Sequence, residues 1–146
     1  VDAMTPGVAR SIEVLDRERL MVAAAFGHEL PPLIEEMAAI GTAAAAPAAR
    51  GDLRAAIAEG EANRLIRAPD SLDHRYYAED FGYGLLPLIV FARVAGVHTT
   101  YANALVEVAS VLRGEDVRVS GLTAERLGIA GLDRDGLLSL VRGGER

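Results

Sequence analysis

The sequence predicts an all-α domain of about six helices. Apolar residues make up 51% of the 146 residues but aromatics only 5%, so alanine, leucine and valine must carry the packing. Alanine and leucine head the helix scale, and the aromatics that favour strands are scarce. Apolar positions recur at three- and four-residue spacing, and a glycine closes most of these stretches. No stretch alternates convincingly. A chain of this length suits one domain with its own core.

The elements follow in order. Thr5-Pro6 reads as an N-cap and first helical residue, and Val8, Ile12, Leu15, Val22 and Phe26 continue a helix that Gly27 ends. A second helix fits Pro31 to Ile40, with Gly41 after it. "TAAAAPAARG" is of low complexity and reads as a loop broken by Pro47 and Gly51. Asp52 can cap a short helix through Glu59. Residues 60 to 80 show no sustained period, and Pro69, Asp70 and Ser71 mark a turn. The next helix is expected to begin near Gly82 to Leu85, with Pro87 tolerated in its first turn, and to close at Gly96. Thr99 or Thr100 can cap another, through Leu105, Val108, Ala109 and Leu112 to Gly114. Two short helices complete the chain, capped by Thr123 and Asp133 and stopped by Gly128, Gly131 and Gly143. "DVRVS" is the only strand-like piece and is too short to form a sheet.

Composition excludes whole classes of chemistry. There is no cysteine, hence no disulfide, zinc-thiolate site or cysteine nucleophile. Every basic residue is arginine, so Schiff-base chemistry and a P-loop are excluded. The three histidines, His28, His74 and His98, have no metal-like spacing. Net charge is −6, the isoelectric point is about 5.0, and no basic cluster is present, which argues against nucleic acid or an anionic membrane as partner. The longest apolar run, Leu85 to Ala92, is far too short to span a bilayer. No signal peptide is recognisable, and the expected location is cytoplasmic. The chain begins at Val1, which suggests a fragment of a longer protein.

One stretch concentrates polar chemistry. "HRYYAED", residues 74 to 80, lies just before the most apolar helix, in a long irregular segment of the kind that more often carries function. Asp80 is expected at or just before the helix start, where free amides favour a carboxylate. An ionised aspartate can orient an imidazole and stabilise its protonated form. Arg75 offers a planar fork suited to a substrate carboxylate. Together they would make half of an acid–base site, lacking its histidine. The alternative is a pinned loop in which Arg75 and Asp80 pair with each other and the tyrosines pack at the edge of the core. His74 can line a pocket or cap a turn, and Tyr76 and Tyr83 can wall a pocket or pack. Asp16, Glu18 and Arg19 form a charged set on the first helix, a pattern that is usually structural or solvated. His98 reads as an exposed residue before a helix cap.

The segment also resembles a known family. "RYYAEDFGYGLLPLIVFARVAGVHTT" is similar to the R-Y-x-x-E-D…G-L-x-P…G-V-x-T-P run of the opine dehydrogenases, the octopine and nopaline enzymes among them. Asp16-Arg17-Glu18-Arg19-Leu20 resembles the D-x-E-R-L pattern of that family's long helix. "LRGEDVRVSGLTAERLGIAGLDRDGLLSLV" resembles its C-terminal tail. The likeness covers nearly the whole chain, in order.

The resemblance implies a two-domain enzyme, of which residues 1–146 correspond to the helical, substrate-binding C-terminal domain. Its fold would be like the C-terminal domain of 6-phosphogluconate dehydrogenase. A Rossmann domain, absent from this chain, would bind NAD or NADP; this chain has no G-x-G-x-x-G after a strand. The reaction would condense an amino acid with a 2-oxo acid and reduce the imine, forming a CH–NH bond. The partners would be the Rossmann domain and the two substrates, with a homo-oligomer possible. By motif match Asp80 corresponds to the aspartate that pairs with a catalytic histidine, and Arg75 to the arginine that holds a substrate carboxylate. His74, Tyr76 and Tyr83 would line the substrate pocket. The family's catalytic histidine precedes the stretch matching Thr5-Pro6 and has no counterpart here, so the isolated chain is expected to be inactive. Gly82 and Thr100 stand where the family has prolines, which leaves substrate identity open. A non-enzymatic helical interaction module, and the C-terminal domain of another Rossmann-type dehydrogenase, are the alternatives.

Overall fold

The computed structural model describes residues 4–63 and 66–143, and every regular element among them is helical. The chain forms two compact units, one from 1–20 with 29–69 and one from 21–28 with 70–146. Helix α1, Pro6–Ala25, contributes to both. Thr5 caps it as expected, its Oγ1 accepting from the Val8 amide at 3.2 Å. At its end the His28 amide donates to the Ala23 carbonyl at 3.0 Å and Gly27 sits at φ +84°, the left-handed step that only glycine takes without strain.

In the first unit follow α2 (Leu33–Ala39), α3 (Ala45–Ala49), α4 (Leu53–Glu59) and a 3₁₀ turn, Glu61–Asn63. α2 has no side-chain cap of its own, because Pro32 occupies the position. Asp16 of α1 supplies one instead, its Oδ2 accepting from the Leu33 amide at 2.8 Å. The α3 stretch departs from the expected loop. Pro47 is its third residue, in the first turn, where the missing amide would have had no intrahelical partner, and alanines do the rest. Asp52 caps α4 as expected, accepting from the Ala55 amide at 3.0 Å. Asn63 closes the unit by donating to the carbonyls of Thr42 at 2.8 Å and Ile57 at 3.2 Å. Buried Gly60 is required there, since a Cβ would stand 2.5 Å from the Thr42 oxygen.

In the second unit the helical run starts earlier than expected. α5 (Arg75–Glu79) leads through a π-helical turn, Asp80–Leu85, into α6 (Leu86–Val94) without interruption. Pro87 explains the wide turn: it has no amide to give and its ring excludes the carbonyl four residues back, so the backbone takes an extra residue, and the Leu86 amide reaches Phe81 instead. Then come α7 (Thr100–Arg113), α8 (Val117–Ser120) and α9 (Arg134–Gly143). The helix α8 replaces the strand-like reading of "DVRVS", because Asp116 caps it through the Arg118 amide at 2.9 Å. The expected helix after Thr123 is a single turn, in which the Leu127 amide reaches Thr123 at 2.9 Å. Thr99 does precede α7, yet its side chain does not cap it; Asn103 donates back to Thr99 instead. Asp133 caps α9 at 2.8 Å through Gly136.

The second unit's core is built from Leu86, Ile89, Val90 and Ala92 of α6, with Ala102, Val106 and Ala109 of α7. Val90, Ile129 and Leu137 form a cluster against which Phe26 and Phe91 pack edge to face, 6.3 Å between ring centres. Gly121 lets the tail close on the π turn: the Leu122 amide donates to the Gly82 carbonyl at 2.8 Å, and a Cβ on Gly121 would fall 2.7 Å from that oxygen.

Candidate active-site face

The structure places the five sequence-predicted residues on one continuous helical run and its cap. His74 is the N-cap of α5, and its Nδ1 accepts from the Tyr76 amide at 3.3 Å. Its ring stands edge-on to the Tyr76 ring at 4.4 Å, while the Arg75 guanidinium lies 5.7 Å from the same ring centre. Arg75, Tyr76, Asp80 and Tyr83 are all exposed. Tyr76 and Asp80 are four residues apart, one helical turn, so the phenol and the carboxylate share a side of the helix.

The sequence reading put Asp80 at a helix start; the structure corrects this. His74 caps the helix, so it begins at Arg75, and Asp80 lies in the second turn, at the join of α5 with the π turn. The helix-start amides precede it, that of Tyr76 donating to His74 Nδ1 and that of Tyr77 to the His74 carbonyl, and the helix-start argument for an ionised Asp80 lapses with them. What remains is an open carboxylate: among the described residues nothing hydrogen-bonds or ion-pairs with it. Arg75 and Asp80 are not paired with each other. The Arg75 contact is with Glu79 at 3.8 Å, between side chains 72% and 55% exposed, a geometry that contributes little.

Behind this helix is a cavity of about 180 Å³ lined by Tyr77, Gly82, Tyr83, Arg113, Glu115 and Ser120 among others. Arg113 fixes the approach to the site, Nη1 donating to the Leu72 carbonyl and Nη2 to Glu115 at 3.2 Å. Hydrogen bonds from Ser120 and Arg113 hold the Glu115 carboxyl below its ordinary value. Tyr77 stacks on Phe81, the rings 6.0 Å apart and parallel. Sequence reading missed Arg113 and Glu115. The available signal was a basic residue in the last turn of α7, which reads equally as a helix-end charge.

The other singled-out residues are elsewhere. Asp16 and Arg19 form a latch in the first unit: Arg19 Nε donates to Asp16 at 2.8 Å, and Nη1 and Nη2 reach Glu36 at 3.3 Å and the Pro31 carbonyl at 2.9 Å. Glu18 is buried and also has a partner. His98 is exposed. Among the described residues no cluster of acids and histidines could hold a metal, and no helix is long and apolar enough to cross a membrane.

Comparison with known proteins decides the family. The model of the NAD/NADP octopine/nopaline dehydrogenase alpha-helical domain matches residues 1–113. This chain belongs to that family. It is 33% identical over 142 residues to an opine dehydrogenase of Arthrobacter sp. (strain 1C), a match that takes in 97% of this chain and spans 38% of that relative's length. The family name implies a dinucleotide. The described residues do not fit one: they hold no strand leading through a glycine-rich turn into a helix, so nothing here would cradle a pyrophosphate.

Proposed function

We propose that this chain is the helical, substrate-handling part of an NAD(P)-dependent opine dehydrogenase, which condenses an amino acid with a 2-oxo acid and reduces the resulting imine. The dinucleotide would sit on a Rossmann segment outside these residues, where it would supply the hydride. In this reading Asp80 accepts a hydrogen bond from a catalytic imidazole, also from outside these residues, orients it and stabilises its protonated form. Arg75 grips the carboxylate of one substrate through its two-nitrogen edge. Tyr76 limits the motion of that guanidinium, His74 packs on Tyr76, and Tyr83 walls the substrate. The observation that carries the proposal is the open Asp80 carboxylate on the same helical run as an Arg75 whose ion-pair contact with Glu79 is long and exposed. A pinned loop would have spent these charges on each other. The family membership and the relative's name support the same reaction.

Steady-state kinetics of the full-length enzyme test it. Asp80→Asn keeps shape but loses charge, so kcat should fall about 10²- to 10⁴-fold with little change in KM. Arg75→Gln should raise the KM of one acid substrate roughly 10- to 100-fold, the loss of a charged hydrogen bond, with kcat less affected. Near-unaltered kinetics in both variants would reduce the segment to a structural turn.

A further inference from the structure

The helical run that carries the candidate site is anchored at both ends, by different means. At its far end the Leu122 amide donates to the Gly82 carbonyl at 2.8 Å, which ties the π turn, with Asp80 in it, to the tail of the chain. At its near end the tie is Arg113, the last residue of α7. The Arg113 side chain is only 15% exposed, and its Nη1 donates to the Leu72 carbonyl, 41 residues away in sequence and just before the His74 cap. Among the described residues no other hydrogen bond or ion pair joins residues 67–73 to a different element. The base of this strut is firm. Gly114 takes a left-handed step after it at φ +64°, the Glu115 amide returns to the Ser110 carbonyl at 3.2 Å, and the Glu115 carboxylate accepts from Arg113 Nη2 at 3.2 Å. A guanidinium can serve both acceptors at once because its donors are fixed in one plane.

We propose that Arg113 is a positioning residue for substrate binding by Arg75. It holds Leu72, and through it the His74 cap, so that α5 begins where the Arg75 fork meets its carboxylate. The inference rests on the substrate-gripping reading of Arg75 above. Without the strut the approach to the cap is free to swing, the binding-competent start of α5 is populated for a smaller fraction of the time, and apparent affinity falls by that fraction. The loss is bounded by what the strut contributes, one charge-assisted hydrogen bond, or about tenfold. Asp80 has its own backbone tie through Gly82, so the chemical step should be spared.

Steady-state kinetics of the full-length enzyme test it, with Arg113→Gln, Arg75→Gln and the double variant. Arg113→Gln should raise the KM of the same acid substrate as Arg75→Gln by about tenfold, with kcat held within about twofold. The double variant should match Arg75→Gln alone, because a strut that positions a missing guanidinium has nothing left to contribute. Arg113→Lys keeps the charge but not the fork and should fall between Arg113→Gln and the unaltered enzyme. Hydrogen exchange in Arg113→Gln should quicken at the amides of residues 74–77 and stay unaltered across 86–94. A KM raised by Arg75→Gln but not by Arg113→Gln overturns this inference and leaves the reading of Arg75 standing. Losses that multiply in the double variant also overturn it, because they give Arg113 an effect independent of Arg75. A KM unmoved by Arg75→Gln overturns that reading, and this inference with it. Faster exchange across 86–94, or a fall in kcat at unaltered KM, overturns the positioning role in favour of a general structural one.

Discussion

Asp16 serves two partners with one carboxylate: one oxygen caps α2 from outside, and the other holds the arginine fork that reaches Glu36 and Pro31. The first-helix charge pattern is therefore structural. Asp16→Ala leaves the Leu33 amide uncapped and the Arg19 guanidinium without its nearest acceptor, and should cost about 2 kcal/mol or more in denaturant unfolding. Asp16→Asn should cost less, since an amide oxygen still caps Leu33. Equal losses in both would mean that the charge, not the cap, is what matters. Glu115 gives a pH signature. Its folded value lies below the unfolded 4.5, so its ion pair and hydrogen bonds stabilise the fold above that value, and the stabilisation is lost as pH falls through the lowered folded value. Thermal midpoints of the protein and of Glu115→Gln should differ most near neutrality and converge in acid; a gap that widens in acid would contradict this assignment.

At the level of elements, what was legible follows from local chemistry. The caps Thr5, Asp52 and Asp133 and the stops Gly27 and Gly114 act within a turn of their own residue, so the sequence displays them. The start of α5 was not legible because its cap is a histidine, an uncommon cap, and because Pro87 reads as a first-turn residue. The structure makes Pro87 the cause of a π turn inside a longer run. The Asp16 cap escaped notice for another reason: it comes from a different helix, and no window on Pro31–Ile40 contains it. Of the site, Arg75 and Asp80 were legible as residue types, whereas Arg113 and Glu115 meet the segment only through the fold. The π turn sets the direction of Asp80. Pro87→Ala restores an amide that can donate to the Tyr83 carbonyl, which should convert the turn to regular α-helix and rotate the residues before it. Backbone chemical shifts should then change from 75 to 84. Changes confined to the neighbours of residue 87 would show that the Gly82–Gly121 contact holds the turn without the proline.

At the level of the whole molecule, the second unit leaves an apolar stripe uncovered. Val108, Val111 and Leu112 follow helical spacing on α7, and Val119 lies on α8, which packs against α7; these side chains are 54–71% exposed. Fully burying such a side chain contributes up to about 1.5–3 kcal/mol, so four partly exposed ones on each copy give a gross gain of the same order as what association costs. The chain spans 38% of its relative's length, and in the proposed enzyme such a stripe is the kind of surface another segment would cover. Alone, the chain should cover it with a second copy, weakly. Light scattering should show the mean mass rising with protein concentration, without saturation at low micromolar concentrations. Val111→Asp with Leu112→Asp should abolish the rise while circular dichroism keeps its helical signal, because both side chains already face solvent. A mass that stays at one chain up to millimolar concentration, or a rise that persists in the double variant, would mean that this stripe is not the surface through which the chain associates.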